Sequence, residues 1–253
     1  MKLLGFLRLK GNLRVVTGLH IGGSSAGISI GATDSPVIKV NDRPYIPGSS
    51  LKGKIRSLLE ISRDLKIDSK LGRHECKSSD KPCDVCVVFG RAAERKGDEG
   101  PTRIIFRDCY INDELSDEMA KKNGYTEIKM ENAINRITSR VEGALRDAER
   151  VLPGTVFDVE VIYRVYDEDA GSKSLKDIGK LEDLPDPLKR RFNMVLEAMR
   201  ILENDYLGGK GTRGYGKVKF ENIEIDIIPL EFFQRGEGVK VLFNGALEEA
   251  VIK

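Results

Sequence analysis

The sequence is poor in several residue types on which familiar enzyme classes depend. Its 253 residues include no tryptophan, only two histidines and only four cysteines. We find no Ser-His-Asp arrangement, no catalytic pair of carboxylates and no HExxH motif, so the common hydrolase patterns are absent. Basic and acidic residues nearly cancel, at 42 against 40. Any nucleic acid must therefore bind a local basic patch rather than a uniformly basic surface.

Long apolar runs are also missing. No stretch approaches the roughly 18 continuous apolar residues that a membrane helix requires. The first residues resemble the start of a signal peptide, but Arg8, Lys10 and Arg14 interrupt them, and the segment alternates like a strand. We therefore expect a soluble, cytoplasmic protein with no membrane partner.

The hydrophobic periodicity predicts strands and helices in a definite order. Apolar and polar residues alternate as in strands over four ranges: 3–17, 103–111, 156–166 and 217–228. Helical spacing begins after Pro47, where Ser49 or Ser50 would cap the helix, and returns over 187–206. The resulting order β-α-β-β-α-β predicts an α+β, ferredoxin-like fold. Sheets of this kind are a common platform for RNA.

Other segments read as insertions into this single domain, 1–253. Residues 62–100 form a charged, cysteine-containing insertion, and residues 112–153 form a polar, arginine-rich excursion rather than a core element. Residues 36–46 predict a short hairpin that turns at Asn41-Asp42, and 166–183 reads as a charged linker.

The strongest chemical signal is a set of metal ligands in the first insertion: His74, Cys76, Cys83 and Cys86. Three thiolates and one imidazole in two closely spaced pairs match a tetrahedral Zn²⁺ site. Four protein ligands leave no position for a substrate water, so we expect structural zinc, on which the polar insertion would depend. Disulfides are the alternative, although a histidine in the set and an intracellular setting disfavour them. Cys109 lies in a predicted strand and is expected to be a small buried residue.

Five glycines within nine residues, from Gly208 to Gly216, mark a second candidate site. The segment contains a literal Gly209-x-Gly211-x-x-Gly214, but it follows a helix and precedes a strand, the reverse of a dinucleotide fingerprint. The interleaved basic residues favour a loop that grips phosphates or nucleic acid. A glycine-rich connection with no ligand remains the alternative.

Candidates for catalysis and for further phosphate contacts are single residues. Asp34 lies in a flexible loop and could bind Mg²⁺ or accept a proton from a ribose 2′-hydroxyl, although such a residue is more often a turn or cap. His20 could be a general base or merely structural. Further basic residues lie off the apolar stripe of the first helix or along the excursion, where they could hold phosphates or be ordinary solvated surface: Lys52, Lys54, Arg56, Arg136, Arg140, Arg146 and Arg150.

Three segments carry the most specific pattern of the chain: the glycine loop 208–216, the helix start Ile46-Pro47-Gly48-Ser49-Ser50-Leu51-Lys52-Gly53 and the loop from Gly22-Gly23 to Asp34. Together they resemble the RAMP superfamily of CRISPR proteins. Within the superfamily the chain is most similar to the repeated backbone subunit of the type III-A (Csm) interference complex. The resemblance extends over nearly the whole chain.

The resemblance implies a ferredoxin-like (RRM-like) palm, a zinc-bearing helical insertion at 62–100 and a thumb within 112–153, supplied by residues 126–150. It implies a filament of copies along a guide CRISPR RNA, with other Csm subunits as partners. By the same resemblance, the guide contacts would be Lys52, Lys54, Arg56, Gly209, Lys210, Gly211 and Arg213, with Arg136 and Arg140 on the thumb. Asp34 would cleave complementary target RNA at regular intervals with Mg²⁺ or Mn²⁺, the upstream 2′-hydroxyl attacking the phosphate.

Two other functions fit parts of the same pattern. A guide-processing RAMP endoribonuclease would need no metal and would make His20 catalytic. A non-catalytic RNA-binding backbone subunit would make neither His20 nor Asp34 catalytic.

Overall fold

The computed structural model of the chain describes residues 1–23, 35–77, 79–92, 94, 100–141, 145–171 and 173–252. Within these residues the strands are β1 (Leu3–Val15), β2 (Lys39–Val40), β3 (Arg43–Pro44), β4 (Ile104–Phe106), β5 (Thr126–Glu131), β6 (Arg146–Val151), β7 (Val156–Tyr166), β8 (Val218–Pro229) and β9 (Lys240–Gly245). Five of them form one antiparallel sheet in the order β4-β7-β1-β8-β9. The pairs β2–β3 and β5–β6 are separate hairpins.

The helices lie between these strands. They are α1 (Gly48–Ser62), α2 (Asp84–Phe89), α3 (Glu118–Lys122), α4 (Asp167–Ala170), α5 (Leu188–Asn204) and α6 (Phe232–Arg235). Taken in chain order, β1, α1, β4, β7, α5 and β8 reproduce the predicted order β-α-β-β-α-β. Nowhere in the described ranges does a helix combine the length and the apolar character needed to cross a bilayer.

The core lies between one face of the sheet and the two long helices. β1 is the central strand, and its residues Leu7, Leu9 and Leu13 are fully buried because alternate side chains share one face. Leu7 pairs with Tyr163 of β7, whose ring makes an edge contact with Phe192 of α5. Burying each large apolar side chain contributes ~1.5–3 kcal/mol, so this layer dominates the stability of the fold.

Both helices that the spacing predicts are present, and each buries one apolar face. Four residues of α1 at i, i+4, i+7 and i+8 are buried: Leu51, Ile55, Leu58 and Leu59. In α5 the apolar stripe from Leu188 to Leu202 is buried in the same way. The two helices also pack against each other.

The predicted cap of the first helix is wrong. α1 begins at Gly48, after Pro47, and neither Ser49 nor Ser50 caps it. Instead the backbone N–H of Gly48 donates to the Asp108 carboxylate at 2.7 Å. A carboxylate at a helix N-terminus satisfies an unpaired N–H and interacts favourably with the helix dipole. The capping residue comes from beyond β4, where a local sequence motif cannot reveal it.

Residues 166–183 are not a charged linker. They contain α4 and two 3₁₀ turns, and four of the leucine and isoleucine side chains from here to residue 184 are buried: Leu175, Ile178, Leu181 and Leu184. Apolar residues spaced by three suit 3₁₀ turns, a period that neither the strand nor the helix template detects. The segment therefore covers the core at the sheet end that carries the start of β1.

The hairpin at residues 36–46 is confirmed, since Asn41 and Asp42 both take positive φ between β2 and β3. The excursion 112–153 is also ordered over its described residues. It contains α3 and the β5–β6 hairpin, whose six residue pairs run from Thr126↔Val151 to Glu131↔Arg146. The hairpin extends from the sheet and exposes apolar residues, with Ile137 at 94% exposure near its far end.

Candidate functional site

The four predicted metal ligands are brought together. Their ligand atoms all lie within 4.8 Å of one another, with His74 Nε2 3.5 Å from the sulfurs of both Cys76 and Cys83. A tetrahedron with Zn–S bonds of ~2.3 Å and a Zn–N bond of ~2.0 Å has an N–S edge of about 3.5 Å. His74 Nδ1 lies 2.9 Å from the Lys66 carbonyl, which leaves Nε2 free for the ion. The donor set and its spacing fit zinc.

Backbone hydrogen bonds prepare the sulfurs for ionisation. The N–H of Cys76 donates to Cys86 Sγ and the N–H of Cys83 donates to Cys76 Sγ, both at 3.4 Å. The hydrogen bond from the Cys86 thiol, against the opposing effect of burial, lowers the pKa of Cys83 to about 4. The same hydrogen bond and burial raise the pKa of Cys86. The lowered pKa of Cys83 favours its thiolate, the form that binds a cation.

The Arg56 side chain is hydrogen-bonded to the segment that carries the predicted metal ligands. Its guanidinium donates to the His74 carbonyl at 2.6 Å, to the Gly90 carbonyl at 3.0 Å and to Glu60 at 2.7 Å, and its side chain is only 12% exposed. The sequence groups Arg56 with Lys52 and Lys54 as a candidate contact for guide phosphates. In the structure its planar fork satisfies three acceptors at once and connects α1 to the metal-binding segment.

The metal-binding insertion is also anchored in the main core. Cys83 is followed directly by α2, whose Val85, Val88 and Phe89 are buried against the core. Asp84, the first residue of α2, pairs with Arg190 and Arg191 of α5. The expectation that the whole insertion depends on the ion is therefore too strong, since apolar packing holds α2 as well.

The two lysines on α1 differ in environment. Burial, and then repulsion from Arg56 and Arg164, lower the pKa of Lys52. A bound anion would relieve both effects, so Lys52 is suited to a phosphate contact. Lys54 points elsewhere: its Nζ lies 2.9 Å from Asp205 and 3.9 Å from the centroid of the Tyr206 ring. The three predicted basic residues of α1 therefore do not form one face.

The glycines of the loop at 208–216 are required by the chain's own backbone. A Cβ on Gly208, at φ +78°, would lie 2.3 Å from the His20 carbonyl oxygen, and one on Gly216 would lie 2.1 Å from that of Leu207. A Cβ on Gly211 would overlap the Tyr206 ring. The N–H of Gly209 donates to the His20 carbonyl at 2.8 Å. The loop thus clamps the chain that leaves β1.

Tyr215 joins the glycine loop to the β5–β6 hairpin. Its hydroxyl donates to Glu131 at 2.8 Å, and Arg213 pairs with the same carboxylate at 2.8 Å. Three cations lie near its ring, at these distances from the centroid: Lys129 at 4.6 Å, Arg150 at 5.2 Å and Lys210 at 5.9 Å. Burial and the Glu131 charge raise the pKa of Tyr215 to about 12, so the hydroxyl stays a donor. The result is a basic cluster at the base of the hairpin.

The remaining arginines of the hairpin are exposed. Arg136 and Arg140 lie in the turn region beyond β5, and Arg146 opens β6. Arg150 instead pairs with Glu127 at 2.7 Å and lies beside Tyr215. The structure thus separates the predicted basic edge into an outer group near the tip and a single arginine at the base.

Asp34 lies outside the described residues, as does the whole stretch 24–34. The flanking residues 20–23 and 35–38, here called the loop stem, are paired with each other. Gly23 donates to the Pro36 carbonyl at 3.0 Å and Ile38 donates to the Ile21 carbonyl at 2.9 Å. The chain therefore enters and leaves this stretch side by side.

His20 is part of the loop stem and is buried, at 7% exposure. Its Nδ1 lies 2.7 Å from the Glu149 carbonyl, and its Nε2 lies 3.3 Å from Ser35 Oγ.

Cys109 is fully buried as predicted, and burial, with smaller contributions from Asp108 and Asp158, raises its pKa to about 12.

Three residues of the cluster at the base of the hairpin escape the sequence analysis: Lys129, Glu131 and Tyr215. The strict alternation of Thr126 to Glu131 is a strand signal that could have placed Lys129 and Glu131 on one face. Tyr215 interrupts the glycine run as its one aromatic residue, which predicts a contact but does not identify the partner.

Known proteins are similar to this chain in sequence. A model of the RAMP superfamily matches residues 12–219. The chain is 37% identical over 245 residues to the CRISPR system Cms endoribonuclease Csm3 of Methanocaldococcus jannaschii, covering 95% of this chain and 88% of the relative. It is 40% identical over 245 residues to the protein of the same name from Methanothermobacter thermautotrophicus, covering 90% and 89%.

Solved structures agree. The chain superimposes on a chain of the Csm3–Csm4 subcomplex of the type III-A CRISPR-Cas interference complex with a TM-score of 0.61 and 27% identity, over 98% of this chain and 94% of that one. A chain of the type III-B Cmr-beta complex shares the fold alone, with a TM-score of 0.52, 17% identity and coverage of 87% and 61%. The chain belongs to the RAMP superfamily and, within it, to the Csm3 family.

Proposed function

We propose that this chain is the guide-RNA-binding backbone subunit of a type III-A CRISPR effector complex and cleaves complementary target RNA at regular intervals. The observation that carries the proposal is its identity of 37–40% with proteins named Csm3 endoribonuclease, over nearly the full length of both chains. Guide CRISPR RNA, target RNA, further copies of itself and other Csm subunits are the partners. The complex acts in the cytoplasm.

In this proposal the five-stranded sheet with α1 and α5 is a ferredoxin-like (RRM-like) palm. Residues 62–100 are its zinc-bearing insertion and residues 112–153 its thumb, all within one RAMP-type domain, 1–253. Zinc has a structural role, because all four positions of its tetrahedron are taken by protein ligands. About one zinc ion per chain is expected from elemental analysis of the purified protein, and a metal-free protein would refute the assignment.

The guide RNA would lie where the thumb meets the palm. The basic cluster around Tyr215 provides cations from both parts, with Lys210 and Arg213 from the glycine loop and Lys129 from the hairpin. Lys52, whose charged form lacks full solvation, would take a neighbouring phosphate. Gly209 and Gly211 would let the RNA backbone pass close to the loop. Arg56 and Lys54 would contribute by holding α1 rather than by direct contact.

The exposed tip of the thumb would unstack bases in the duplex of guide and target RNA. Ile137 is 94% exposed, and Arg136 and Arg140 flank it. An apolar side chain wedged between bases unstacks them, while neighbouring arginines hold the phosphates. Repetition of this wedge in each copy of the filament would splay the target at regular intervals.

Asp34 is the catalytic residue in this proposal. The upstream 2′-hydroxyl oxygen attacks the phosphorus, its proton passes to a base, and the 5′-oxygen of the next nucleotide leaves. Asp34 would accept that proton or hold a divalent cation. Mg²⁺ or Mn²⁺, when bound, would neutralise charge that develops on the phosphate oxygens. Splaying brings the 2′-oxygen into line with the leaving oxygen, which lowers the barrier by orientation alone.

The test uses the complex assembled with guide RNA and its partner subunits. Asp34→Asn is expected to abolish cutting with Mg²⁺ present while leaving target binding unchanged. Asp42→Asn, the same substitution in the exposed turn of the β2–β3 hairpin, is the matched control and should cut normally. If the Asp34 variant still cuts at the same periodic sites, the catalytic assignment is wrong.

The guide-processing alternative is disfavoured by the environment of His20. A general base must reach a substrate proton, but both ring nitrogens of His20 contact protein atoms and the residue is buried. Cutting that survives chelation of divalent ions and disappears in His20→Ala would restore that alternative. If the wild-type complex binds target RNA but does not cut it, a purely binding subunit is supported.

A further inference from the structure

Hydrogen bonds join the two parts of the metal-binding segment without using any of the four ligand atoms. The predicted ligands form two pairs, one within residues 74–76 and one within residues 83–86. The chain that carries the first pair is bonded to residues 90–92, which directly follow α2. The side chains that make the connection are Arg56, Glu75 and Arg91, here called the clasp.

Arg56 spans both ligand pairs with one guanidinium group. It donates to the His74 carbonyl at 2.6 Å and to the Gly90 carbonyl at 3.0 Å. Gly90 ends α2, where its N–H donates to the Cys86 carbonyl at 2.9 Å. A third donor, to Glu60 at 2.7 Å, fixes the guanidinium to α1. Because the fork is planar and rigid, it sets the distance between the two ligand-bearing stretches.

Glu75 and Arg91 join the same two stretches from the other direction. The Glu75 side chain is fully buried, and its carboxylate accepts the N–H of Ala92 at 3.0 Å. Arg91 is also buried and donates to the carbonyls of Cys76 at 3.1 Å and of Lys77 at 2.9 Å. The stretch that carries the first ligand pair is therefore bonded along its length to the chain after α2.

We propose that the clasp preforms the metal site, so that the ion is bound by a segment that is already folded. Its hydrogen bonds end on backbone groups and on the carboxylates of Glu60 and Glu75, and none of them needs a metal ion. A preformed site does not use binding free energy to fold the segment, which strengthens metal affinity. The proposal rests on the zinc assignment made above, and the three residues are positioning residues rather than ligands.

Conservative variants on opposite sides of the clasp test it. Arg56→Lys keeps a cation beside Glu60, but its single ammonium cannot reach acceptors in three directions. Arg91→Lys removes the fork from the other side. Each should weaken zinc binding by roughly 10–100-fold, the usual effect of changing a residue that orients metal ligands. Competition with a chromogenic chelator measures the affinity.

Arg63→Lys is the matched control. Arg63 directly follows α1 and pairs with Glu197 at 2.7 Å, but its side chain is 40% exposed and does not belong to the clasp. This variant should bind zinc as the wild type does. At saturation with Co²⁺ all variants should give the same tetrahedral absorption spectrum, because the four ligands are unchanged. An altered spectrum in Arg56→Lys would overturn the proposal by showing that the ligand set itself had changed.

Proteolysis of the metal-free full-length chain tests whether the site is preformed. Trypsin cleavage after Arg73 should be slow in the wild type even after chelation, because the clasp holds the chain on both sides. In metal-free Arg56→Lys it should be roughly tenfold faster, as expected from losing one or two hydrogen bonds made by a charged donor. Lysine and arginine are both trypsin sites, so the substitution does not itself change the set of sites.

Three results would overturn the proposal. The first is wild-type zinc affinity in both Arg56→Lys and Arg91→Lys. The second is equally fast cleavage of the metal-free wild type and the metal-free Arg56→Lys variant. The third is a loss of zinc affinity in Arg63→Lys as large as that in Arg56→Lys, which would make general destabilisation the cause.

Failure of the underlying assignment is recognisable separately. If the wild type takes up neither zinc nor cobalt, the metal assignment is wrong and the proposal is refuted with it. If the wild type binds one zinc ion and the clasp variants bind it equally tightly, only the clasp is wrong. Neither result depends on RNA cleavage, which is measured on the assembled complex.

Discussion

Asp169 should be among the costliest residues to remove. Its carboxylate is fully buried and accepts from Arg103 at 3.1 Å and from Arg191 at 2.5 Å. Arg103 itself is only 1% exposed. In Asp169→Ala the fully buried Arg103 and the partly buried Arg191 would lose their shared counter-ion. Removing one partner of a buried ion pair costs ~3–5 kcal/mol, because the charge left behind is not solvated.

The adjacent residue provides a matched control. Glu168 also pairs with Arg103, at 3.2 Å, but its side chain is 50% exposed. Glu168→Ala should cost at most about 1 kcal/mol, since water replaces the lost partner. In urea denaturation the Asp169 variant should therefore lose at least ~2 kcal/mol more than the Glu168 variant. In a chain of this length the thermal midpoint should fall by on the order of 10 °C for Asp169→Ala.

The same variant should also weaken the metal site. Arg191 connects Asp169 to Asp84, and Asp84 follows the ligand Cys83 directly. Zinc release to a chromogenic chelator should therefore be faster in Asp169→Ala and unchanged in Glu168→Ala. Equal loss of stability in both variants would show that burial does not decide the energy of these ion pairs, and the reasoning would be refuted.

Further predictions concern the glycine loop, the thiols and the lysine on α1. Gly208→Ala should cost ~2–4 kcal/mol in urea denaturation and Gly214→Ala only ~1, because both have positive φ but only Gly208 faces a backbone oxygen; equal costs would disprove the packing argument. After chelation at pH 8 an alkylating reagent should modify Cys83, whose pKa is lowered to about 4, and not Cys109, whose pKa is raised to about 12. Mass spectrometry of the digested protein identifies the modified thiol, and modification of Cys109 but not Cys83 would contradict the prediction. Lys52→Ala should weaken guide binding for all sequences alike and reduce the salt dependence, measured by filter binding, by about 0.7 in the log–log slope; an unchanged slope would exclude a phosphate contact.

Most of the sheet and its two long helices could be predicted because their signals are local. The strands at 156–166 and 217–228 and the helix at 187–206 each have a single periodicity over more than ten residues, and the structure has β7, β8 and α5 there. The metal cluster was equally predictable, because ligand spacing along the chain restricts where the side chains can meet.

Contacts between distant parts of the chain could not be predicted from the sequence. The cap of α1 is Asp108, sixty positions away, and no local motif shows it. Arg56 looked like surface on a helical projection, yet its fork bonds carbonyls of the metal-binding segment. The glycines at 208 and 216 suggested space for a ligand, whereas the structure fills that space with the chain's own backbone. In each case the partner, rather than the residue type, determined the role.

Basic and acidic residues nearly cancel in the sequence, and several of the cations near the proposed RNA-binding residues are likewise paired with carboxylates. Arg213 is paired with Glu131, Lys54 with Asp205 and Arg150 with Glu127. A phosphate that approaches one of these cations must compete with a carboxylate already in place, which reduces the net gain of each contact. Lys52 differs, because burial and then the charges of two cations, Arg56 and Arg164, lower its pKa. The free energy of RNA binding should therefore be uneven across this surface, with Lys52 contributing more than the ion-paired arginines. Affinity would then depend on a few uncompensated cations repeated along a filament rather than on the total charge of one chain.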